Sequence, residues 1–588
     1  MDIRKTGLIA LIAAVPLIAV LPLPDFWITQ LNYIGLYSLT SLGLVLLTGI
    51  GGLTSFGQAA FVGIGAYTTA WFTLNLGFSP WVTLFIGLAF TAISALVVGV
   101  ITLRMSGHYL PLATIAWGLS LYYTMGNLDA LGKYDGLLGI KSLSIAGFDI
   151  GQGRAFFVLT WAILLMLAFA LLHLLDSRAG RAIRAMKGGS QMAEAMGIST
   201  FRYKVTIFVL AALFASVAGW LLAHFQRTVN PSAFGLKMGI EYLFMAVLGG
   251  VGHVWGAIAG AGLIKLLDDQ LQVLLPKLIG TSGSYEVIVF GIAMVLVLKY
   301  LPDGLWSLVE RKLPRKQRKV DWANAAALHE RAKPAAGEVV LDVQAIRKQF
   351  GGLTAVNDIS FQIRAGQIVG LIGPNGAGKS TTFNLITGVL GMTSGQVVFR
   401  GQTVGSKPSR EISRLGMART FQHVKMIADM TVLENVALGA HTRGSKGVLP
   451  AMLRTNRAEE QRLFREAQRQ LERIGMGAYL HEQAGNLAMG PQRLMEIARA
   501  LCADPALLLL DEPAAGLRHK EKQALADVLR QLQREGVSIL LVEHDMDLVM
   551  QVCDHLVVME FGTLLTQGTP AHVQQDPKVR AAYLGTEH

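Results

Sequence analysis

Through roughly the first 300 residues the chain repeats one pattern, apolar runs about twenty residues long separated by short polar breaks. The runs 7–24, 32–50, 54–75, 81–103, 107–125, 155–175, 205–225 and 284–301 each approach the length that crosses a bilayer's hydrocarbon. The stretch 239–267 is also apolar but is interrupted by Gly249-Gly250-Val251-Gly252-His253, a natural break. From Glu338 the pattern changes. Val339, Leu341 and Val343, then Ile359, Phe361 and Ile363, alternate with polar neighbours, the period of antiparallel strands with one buried face. Gln367–Ile372, Ala506–Leu510 and Val537–Val542 are continuous short apolar runs, as central parallel strands covered on both faces require. The pattern predicts a membrane domain over 1–303, a linker over 304–337 and a soluble domain over 338–588.

The mean hydropathy of +0.45 is too high for a soluble protein, and only 16% of the 588 residues are charged. That average conceals the break. The formal net charge is +12, but the basic residues gather beside apolar runs: Arg4 and Lys5; Arg178, Arg181, Arg184 and Lys187; Arg311 to Lys319. This is the positive-inside distribution of cytoplasmic loops, and it argues against nucleic acid as a partner. The run Arg311–Lys319 also suits anionic headgroups, or a tether for the last helix. Cys502 and Cys553 have no metal-ligand spacing and read as reduced thiols. The apolar N-terminal run lacks a small-x-small cleavage site and is expected to be a retained helix.

The chemistry lies in the second half. Gly373-Pro374-Asn375-Gly376-Ala377-Gly378-Lys379-Ser380-Thr381 follows a strand and fits G-x-x-x-x-G-K-[ST], a loop whose backbone N–H groups converge on phosphate oxygens. In that pattern Lys379 reaches the β/γ-phosphates of ATP, Ser380 supplies a Mg²⁺ ligand, and the next helix offers its positive end. Asp511 and Glu512 close an apolar strand, placing one carboxylate for the Mg²⁺ shell and one to polarise water. A second strand delivers His544 to the same sheet edge, where it would orient that water. Phe350 either stacks on adenine or packs as a hairpin residue.

With the phosphate loop in the cytoplasm, 284–301 must end inside. The basic loop 176–204 also lies inside, so 226–238 and 268–283 lie outside. The stretch 239–267 then leaves and returns on one side, as a re-entrant hairpin or two short helices, for about eight or ten crossings. Ala59 with Gly63, and Gly256 with Gly260, line helix faces and permit close packing; the alternative is a direct substrate role. Gln58, His108, Glu241 and His253 face either a cavity or a partner helix. In 176–204, Ser190–Ile198 reads as a short helix ended by Gly197, either a solvated connector or an element that docks on the ATPase domain.

Gly373–Thr381, Ala418-Arg419-Thr420-Phe421-Gln422, Leu487-Ala488-Met489-Gly490-Pro491-Gln492-Arg493, Asp511-Glu512 and His544 occur in an order that resembles an ABC-transporter nucleotide-binding domain over 338–588. Gly52–Phe61 with Gly63–Tyr67, and Ala193–Ile198, resemble branched-chain amino acid permeases; Asp511–Leu517 and Ala582-Tyr583-Leu584-Gly585 resemble the ATPase of that system. The resemblance implies a fused permease and ATPase: a polytopic α-helical membrane domain of eight to ten spans, then an α/β phosphate-loop ATPase domain with an antiparallel β subdomain and a helical subdomain. It implies that Gln422 senses nucleotide and contributes to the Mg²⁺ site. It also implies that Leu487, Ala488, Gly490 and Gln492 face the ATP of a partner cassette, and that Glu512, His544 and Gln422 form the catalytic set. Ala488, Met489 and Pro491 depart from the common Leu-Ser-Gly-Gly-Gln signature, and Arg518 stands where many relatives carry aspartate, which points to a slower ATP site at this signature. The implied whole is an importer in a bacterial inner membrane with its ATPase domain cytoplasmic. A periplasmic binding protein, a second permease and a second ATPase complete it, and hydrophobic amino acids are its substrates. Aromatic acids, short amides or urea, an exporter half-molecule and a nucleotide-regulated channel are the rival readings.

Overall fold

The computed structural model describes residues 3–104, 109–279, 286–301, 304–310, 312 and 324–584. His108, Gly585 and, apart from Lys312, the basic run 311–319 lie outside the described residues. The chain separates into two compact units. One comprises Met1–Asp176, Phe201–Lys316 and Met452–Arg454; the other comprises Ser177–Thr200, Gln317–Ala451 and Thr455–His588.

Each apolar run of the first unit contains a helix: Ile3–Val20, Asp25–Leu44 (prolonged as the π-helical Val45–Ile50), Gln58–Asn75, Pro80–Thr102, Tyr109–Asn127, Gly153–Leu175, Thr200–Gln226 and Glu286–Tyr300. The interrupted run forms two helices, Leu236–Gly250 and Val254–Ile279, with a bend of 119° at the glycine-rich break. Among the described residues four segments, 25–50, 80–102, 153–175 and 200–226, are long and apolar enough to cross a membrane, or five with the bent pair.

One of them has a surface inverted relative to a soluble helix. On Pro80–Thr102 the large apolar Phe85, Phe90 and Ile93 are exposed, while Thr83, Gly87, Thr91 and Thr102 are buried. Apolar side chains gain nothing by leaving lipid, so helix contacts rest on small residues and hydroxyl groups. Thr91 Oγ1 donates to Ser216 Oγ at 2.9 Å, Thr69 Oγ1 lies 2.6 Å from Thr83 Oγ1, and His224 Nε2 lies 2.8 Å from Thr69 Oγ1. Gln58 is buried at the first position of its helix, with neither amide atom hydrogen-bonded. His253 Nδ1 pairs with Glu310 Oε2 at 3.0 Å, half exposed.

The glycines bear out the packing reading of the small residues. A Cβ on Gly249 would stand 1.8 Å from Gly256 O, and one on Gly260 would stand 1.8 Å from Met245 O, so Leu236–Gly250 and Val254–Ile279 approach at backbone distance. On the same helix a Cβ at Gly262 would meet nothing nearer than 3.8 Å. Gly260→Ala should therefore cost about 2 kcal/mol or more and Gly262→Ala less than about 1 kcal/mol. Thermal unfolding of the detergent-solubilised chain checks this; equal shifts would contradict the close approach.

In the second unit a six-stranded sheet runs in the order Met417–Arg419, Leu507–Asp511, Ser538–Val542, Ile368–Ile372, His555–Glu560, Thr563–Gly568. All neighbours are parallel except the last pair. Ile368–Ile372, Leu507–Asp511 and Ser538–Val542 are buried at every residue, as their unbroken apolar character requires. A four-stranded antiparallel sheet, in the order Leu353–Arg364, Val339–Phe350, Ser394–Phe399, Gln402–Thr403, pairs Leu341 with Ile363 and Val343 with Phe361. Helices Val432–Ala437, Arg457–Arg473 and Met489–Leu501 pack together beside the parallel sheet.

The expected linker 304–337 is not uniform: Leu305–Glu310 forms a helix that belongs to the first unit, and 324–337 lies against the second unit as an extended strap. Arg443 Nη2 donates to His329 O at 2.9 Å, Arg469 pairs with Glu330 at 2.7 Å, Arg331 Nη1 reaches Arg414 O at 3.0 Å, and Lys333 Nζ reaches Glu535 O at 2.6 Å. Leu328 packs on the core beneath.

Candidate active site

The phosphate loop connects Ile368–Ile372 to the helix Lys379–Ile386. Two of its glycines are sterically required. Gly373 has φ +150° and a Cβ there would stand 2.1 Å from Met559 O; Gly378 has φ +93° and a Cβ there would stand 2.5 Å from Ala355 O. Pro374 and Thr381 are half-buried, Asn375, Gly376 and Ser380 exposed, and Ala377 buried. The Lys379 ammonium folds over the loop, donating to Gly373 O at 2.6 Å and Pro374 O at 2.9 Å. Burial pulls its pKa below the ordinary lysine value, against the opposing pull of Glu512 and Asp511. A phosphate held in the loop would oppose that shift.

Asp511 ends its strand opposite Val542. Its amide donates to Thr420 Oγ1 at 3.2 Å, and its carboxylate Oδ1 is buried without a hydrogen-bond partner. Burial pushes its pKa up to about 6, with Arg419 opposing. A buried, unpartnered carboxylate oxygen at the end of a strand fits the chemistry of a divalent-cation ligand. Glu512 has φ +46° and donates its amide to Val542 O at 2.8 Å. This left-handed turn holds a non-glycine residue in strained backbone, a feature concentrated at functional sites. Glu512 Oε2 accepts from Gln422 Nε2 at 3.2 Å and lies 3.9 Å from His544 Nδ1. Glu512, Gln422 and His544 are thus brought together, and the carboxylate can accept a proton from water.

Among the described residues Leu487, Ala488, Gly490 and Gln492 make no hydrogen bond to that group. Leu487 is buried, Ala488 caps the helix Met489–Leu501, Gly490 is buried, and Gln492 Nε2 donates to Leu487 O at 2.8 Å. Among the described residues no hydrogen bond joins Leu487, Ala488, Gly490 or Gln492 to the phosphate loop. Phe350 ends its hairpin opposite Leu353, its ring exposed and 5.0 Å from Lys348 Nζ.

Several participants carry no signal of their own in the sequence. Arg419 is buried with its guanidinium 4.6 Å from the Phe383 ring and 4.8 Å from Phe421, donating to Asn384 Oδ1 and Thr387 Oγ1 and so tying the phosphate-loop helix to the Gln422 segment. Glu543 is fully buried and accepts from the amides of Ala514 (2.7 Å), His544 (2.9 Å) and Asp545 (3.2 Å), bracing the loops after both catalytic strands. Arg493, inside the signature run, donates to Phe421 O at 2.9 Å and Gln422 O at 2.6 Å. Glu543 follows a strand end and Arg493 lies within a motif, so spacing marks their neighbourhoods but not their partners.

The segment 177–200 packs within this unit. Its helix Arg178–Lys187 is capped by Ser177, whose Oγ accepts from Gly180 N, and Arg178 donates to His441 O at 2.7 Å and Lys446 O at 2.6 Å. Arg181 pairs with Glu460 at 2.8 Å and lies over the Phe464 ring at 4.6 Å. The helix Ser190–Ala195 ends through Met196 at Gly197, φ +75°, where a Cβ would strike Thr442 Cγ2 at 2.1 Å. Met192 Sδ lies 3.6 Å from Arg499 Nη1, which also donates to Lys425 O at 2.6 Å. Arg499 is buried with Glu496 at 3.0 Å, and Glu496 accepts from Lys425 N at 2.9 Å. Hydrogen bonds therefore run from Met192 through Arg499 to Lys425, which lies three residues along the chain from Gln422, the donor to Glu512.

These elements define an ABC transporter polypeptide, a permease region followed by an ATP-binding cassette. Residues 27–298 match the family described as the permease component of the branched-chain amino acid transport system, 356–515 match ABC transporter, and 563–588 match branched-chain amino acid ATP-binding cassette transporter. The cassette is 44% identical over 250 residues to the high-affinity branched-chain amino acid transport ATP-binding protein LivG of Salmonella typhimurium, covering 42% of this chain and 98% of that protein. BraF of Pseudomonas aeruginosa is 40% identical over 249 residues, with 42% and 98% covered. A solved nucleotide-free cassette from an ABC transporter is 32% identical, with TM-score 0.38, over 42% of this chain and 99% of that one. The chain belongs to the branched-chain amino acid ABC transporter family, and it joins the permease and the ATP-binding component in one polypeptide.

The Arg499–Glu496 pair yields a measurable consequence. Arg499→Met leaves the Glu496 carboxylate buried without its cation and should destabilise the cassette by about 3–5 kcal/mol. Arg499→Met combined with Glu496→Gln should recover most of that loss. Denaturant unfolding of the four chains of the cycle measures the coupling, and additive effects would contradict it.

Proposed function

We propose that this chain is the permease-plus-ATPase subunit of an ATP-driven importer of branched-chain or other hydrophobic amino acids in a bacterial inner membrane. A periplasmic binding protein, a second permease and a second ATPase complete the complex. The observation that carries this reading is the hydrogen bonding from Met192 through Arg499 to Lys425, three residues along the chain from the Gln422 that donates to Glu512. Residues 177–200 separate two membrane helices in sequence yet pack with the cassette, so a rearrangement around the nucleotide bears on a segment continuous with both helices.

In this reading Lys379 and the loop amides of Gly373–Thr381 hold the phosphates, and Phe350 stacks on adenine. Ser380 and Asp511, with Gln422 alongside, hold Mg²⁺, which when bound neutralises charge between the phosphates. Glu512 takes the proton of the attacking water, which Gln422 and His544 orient. Among the described residues Leu487, Ala488, Gly490 and Gln492 make no hydrogen bond to the phosphate loop of their own chain, as expected of a surface that completes the ATP site of a second cassette. The family relatives named for branched-chain amino acid transport support the substrate class.

The test is reconstitution with the companion subunits in proteoliposomes. Leucine uptake should require ATP and be stimulated by the binding protein. Glu512→Gln should cut ATP hydrolysis by about 10²-fold or more and abolish uptake while ATP still binds. Uphill uptake persisting in that variant, or stimulation by lipid alone in place of the binding protein, would refute the importer reading.

A further inference from the structure

Glu543 is a buried carboxylate with no step of its own in ATP hydrolysis. Its residue is fully buried, and among the described residues the only basic group within ion-pair distance of its carboxylate is His544 Nδ1, at 3.8 Å. A carboxylate so placed is costly unless its oxygens meet hydrogen-bond donors. Backbone amides supply them. Oε1 accepts from Ala514 N at 2.7 Å, while Oε2 accepts from His544 N at 2.9 Å and Asp545 N at 3.2 Å. The two oxygens therefore divide between two loops, since Ala514 follows the strand Leu507–Asp511 and His544 follows the strand Ser538–Val542. A side chain with a single oxygen could not be shared in this way.

The bond to Ala514 bears on Glu512. The Glu512 backbone is left-handed, with φ +46°, and a non-glycine residue persists in that region only where its surroundings hold it. Three hydrogen bonds frame the turn. Glu512 N donates to Val542 O at 2.8 Å, Ala515 N donates to Glu512 O at 3.2 Å, and Ala514 N donates to Glu543. The first two join neutral groups, whereas the third has an ionised acceptor and is of the stronger kind. Lys522 and Asp545 also tie the two sides together, but that pair is partly exposed to solvent, where ion pairs contribute little. Without Glu543 the turn is free to relax. The Glu512 carboxylate then leaves Gln422 Nε2, now 3.2 Å away, and its place 3.9 Å from His544 Nδ1.

We propose that Glu543 is a positioning residue for ATP hydrolysis: its carboxylate locks the turn that carries Glu512 to the loop that carries His544. It acts on the attacking water only through Glu512, so the inference rests on the assignment of Glu512 as the base. ATP turnover by the complete complex tests it, with the companion ATPase's own catalytic glutamate changed to glutamine in every sample so that turnover reports this chain. Glu543→Gln keeps the size of the side chain but leaves one oxygen for two loops. It should lower kcat about tenfold or more and leave the equilibrium Kd of ATP within about threefold. Glu543→Ala should lower kcat further, and Glu543→Gln serves alone if the alanine variant fails to assemble. In a chain already carrying Glu512→Gln, the same substitutions should cost less than about twofold, because the carboxylate they act through is gone. Equal fold losses in both backgrounds would mark a purely structural role and overturn the proposal, as would an unchanged kcat or a Kd that rises in step with the loss of kcat. If Glu512→Gln by itself leaves turnover intact, the assignment of Glu512 fails and this inference fails with it. If Glu512→Gln cuts turnover and the two losses multiply, this inference alone falls.

Discussion

The parallel register of Met417–Arg419, Leu507–Asp511, Ser538–Val542 and Ile368–Ile372 is the constraint on which the cassette's chemistry depends. Parallel strands all end at one edge, so the residues that follow them must meet there. The phosphate loop leaves Ile372, Thr420–Gln422 leaves Arg419, Glu512 follows Asp511, and Glu543–His544 follows Val542. The strands are buried on both faces, so a slip in register would carry apolar side chains against loops and separate Asp511 from Val542. Four stretches distant in sequence thereby converge.

Buried charges then brace this edge. Arg419, Arg493, Arg499, Glu496 and Glu543 bond backbone groups of loops that a hydrophobic core cannot hold, since a loop's amides and carbonyls need polar partners once water is removed. Such groups are costly to bury singly, and each here is tied to several partners. Stiff connections result, and they extend to Met192 in the segment 177–200. The membrane unit differs: with lipid as solvent, close glycine contacts and threonine hydroxyls join its helices beside the buried apolar side chains. One chain thus contains two solutions to cohesion, each set by its solvent.

The membrane–cassette division, the helices of the apolar runs, the strands and the phosphate loop were legible in the sequence because each is written in consecutive or regularly spaced residues. Hydropathy period and G-x-x-x-x-G-K-[ST] need no distant partner to be read. The pair Asp511-Glu512 was visible for the same reason. The contact of Gln422 with Glu512, the bracket formed by Glu543 and the grip of Arg493 on Phe421 and Gln422 were not, since each joins residues far apart along the chain or depends on side-chain direction. The segment 177–200 admitted two readings, and its packing within the cassette unit decides for the docked one. The stretch 324–337, which follows the basic run, is strapped down by Arg443, Arg469 and Lys333, whose positions mark them only as surface charges.

The sequence by itself determined which segments are apolar enough for lipid, which form strands, and where a phosphate is cradled, because these depend on local composition and spacing. Only the tertiary structure decided which carboxylate lies unpartnered, which arginines are buried, and which two loops share the oxygens of Glu543. Those outcomes depend on what solvent is excluded and which partner arrives when distant elements close together, and no stretch of adjacent residues encodes that.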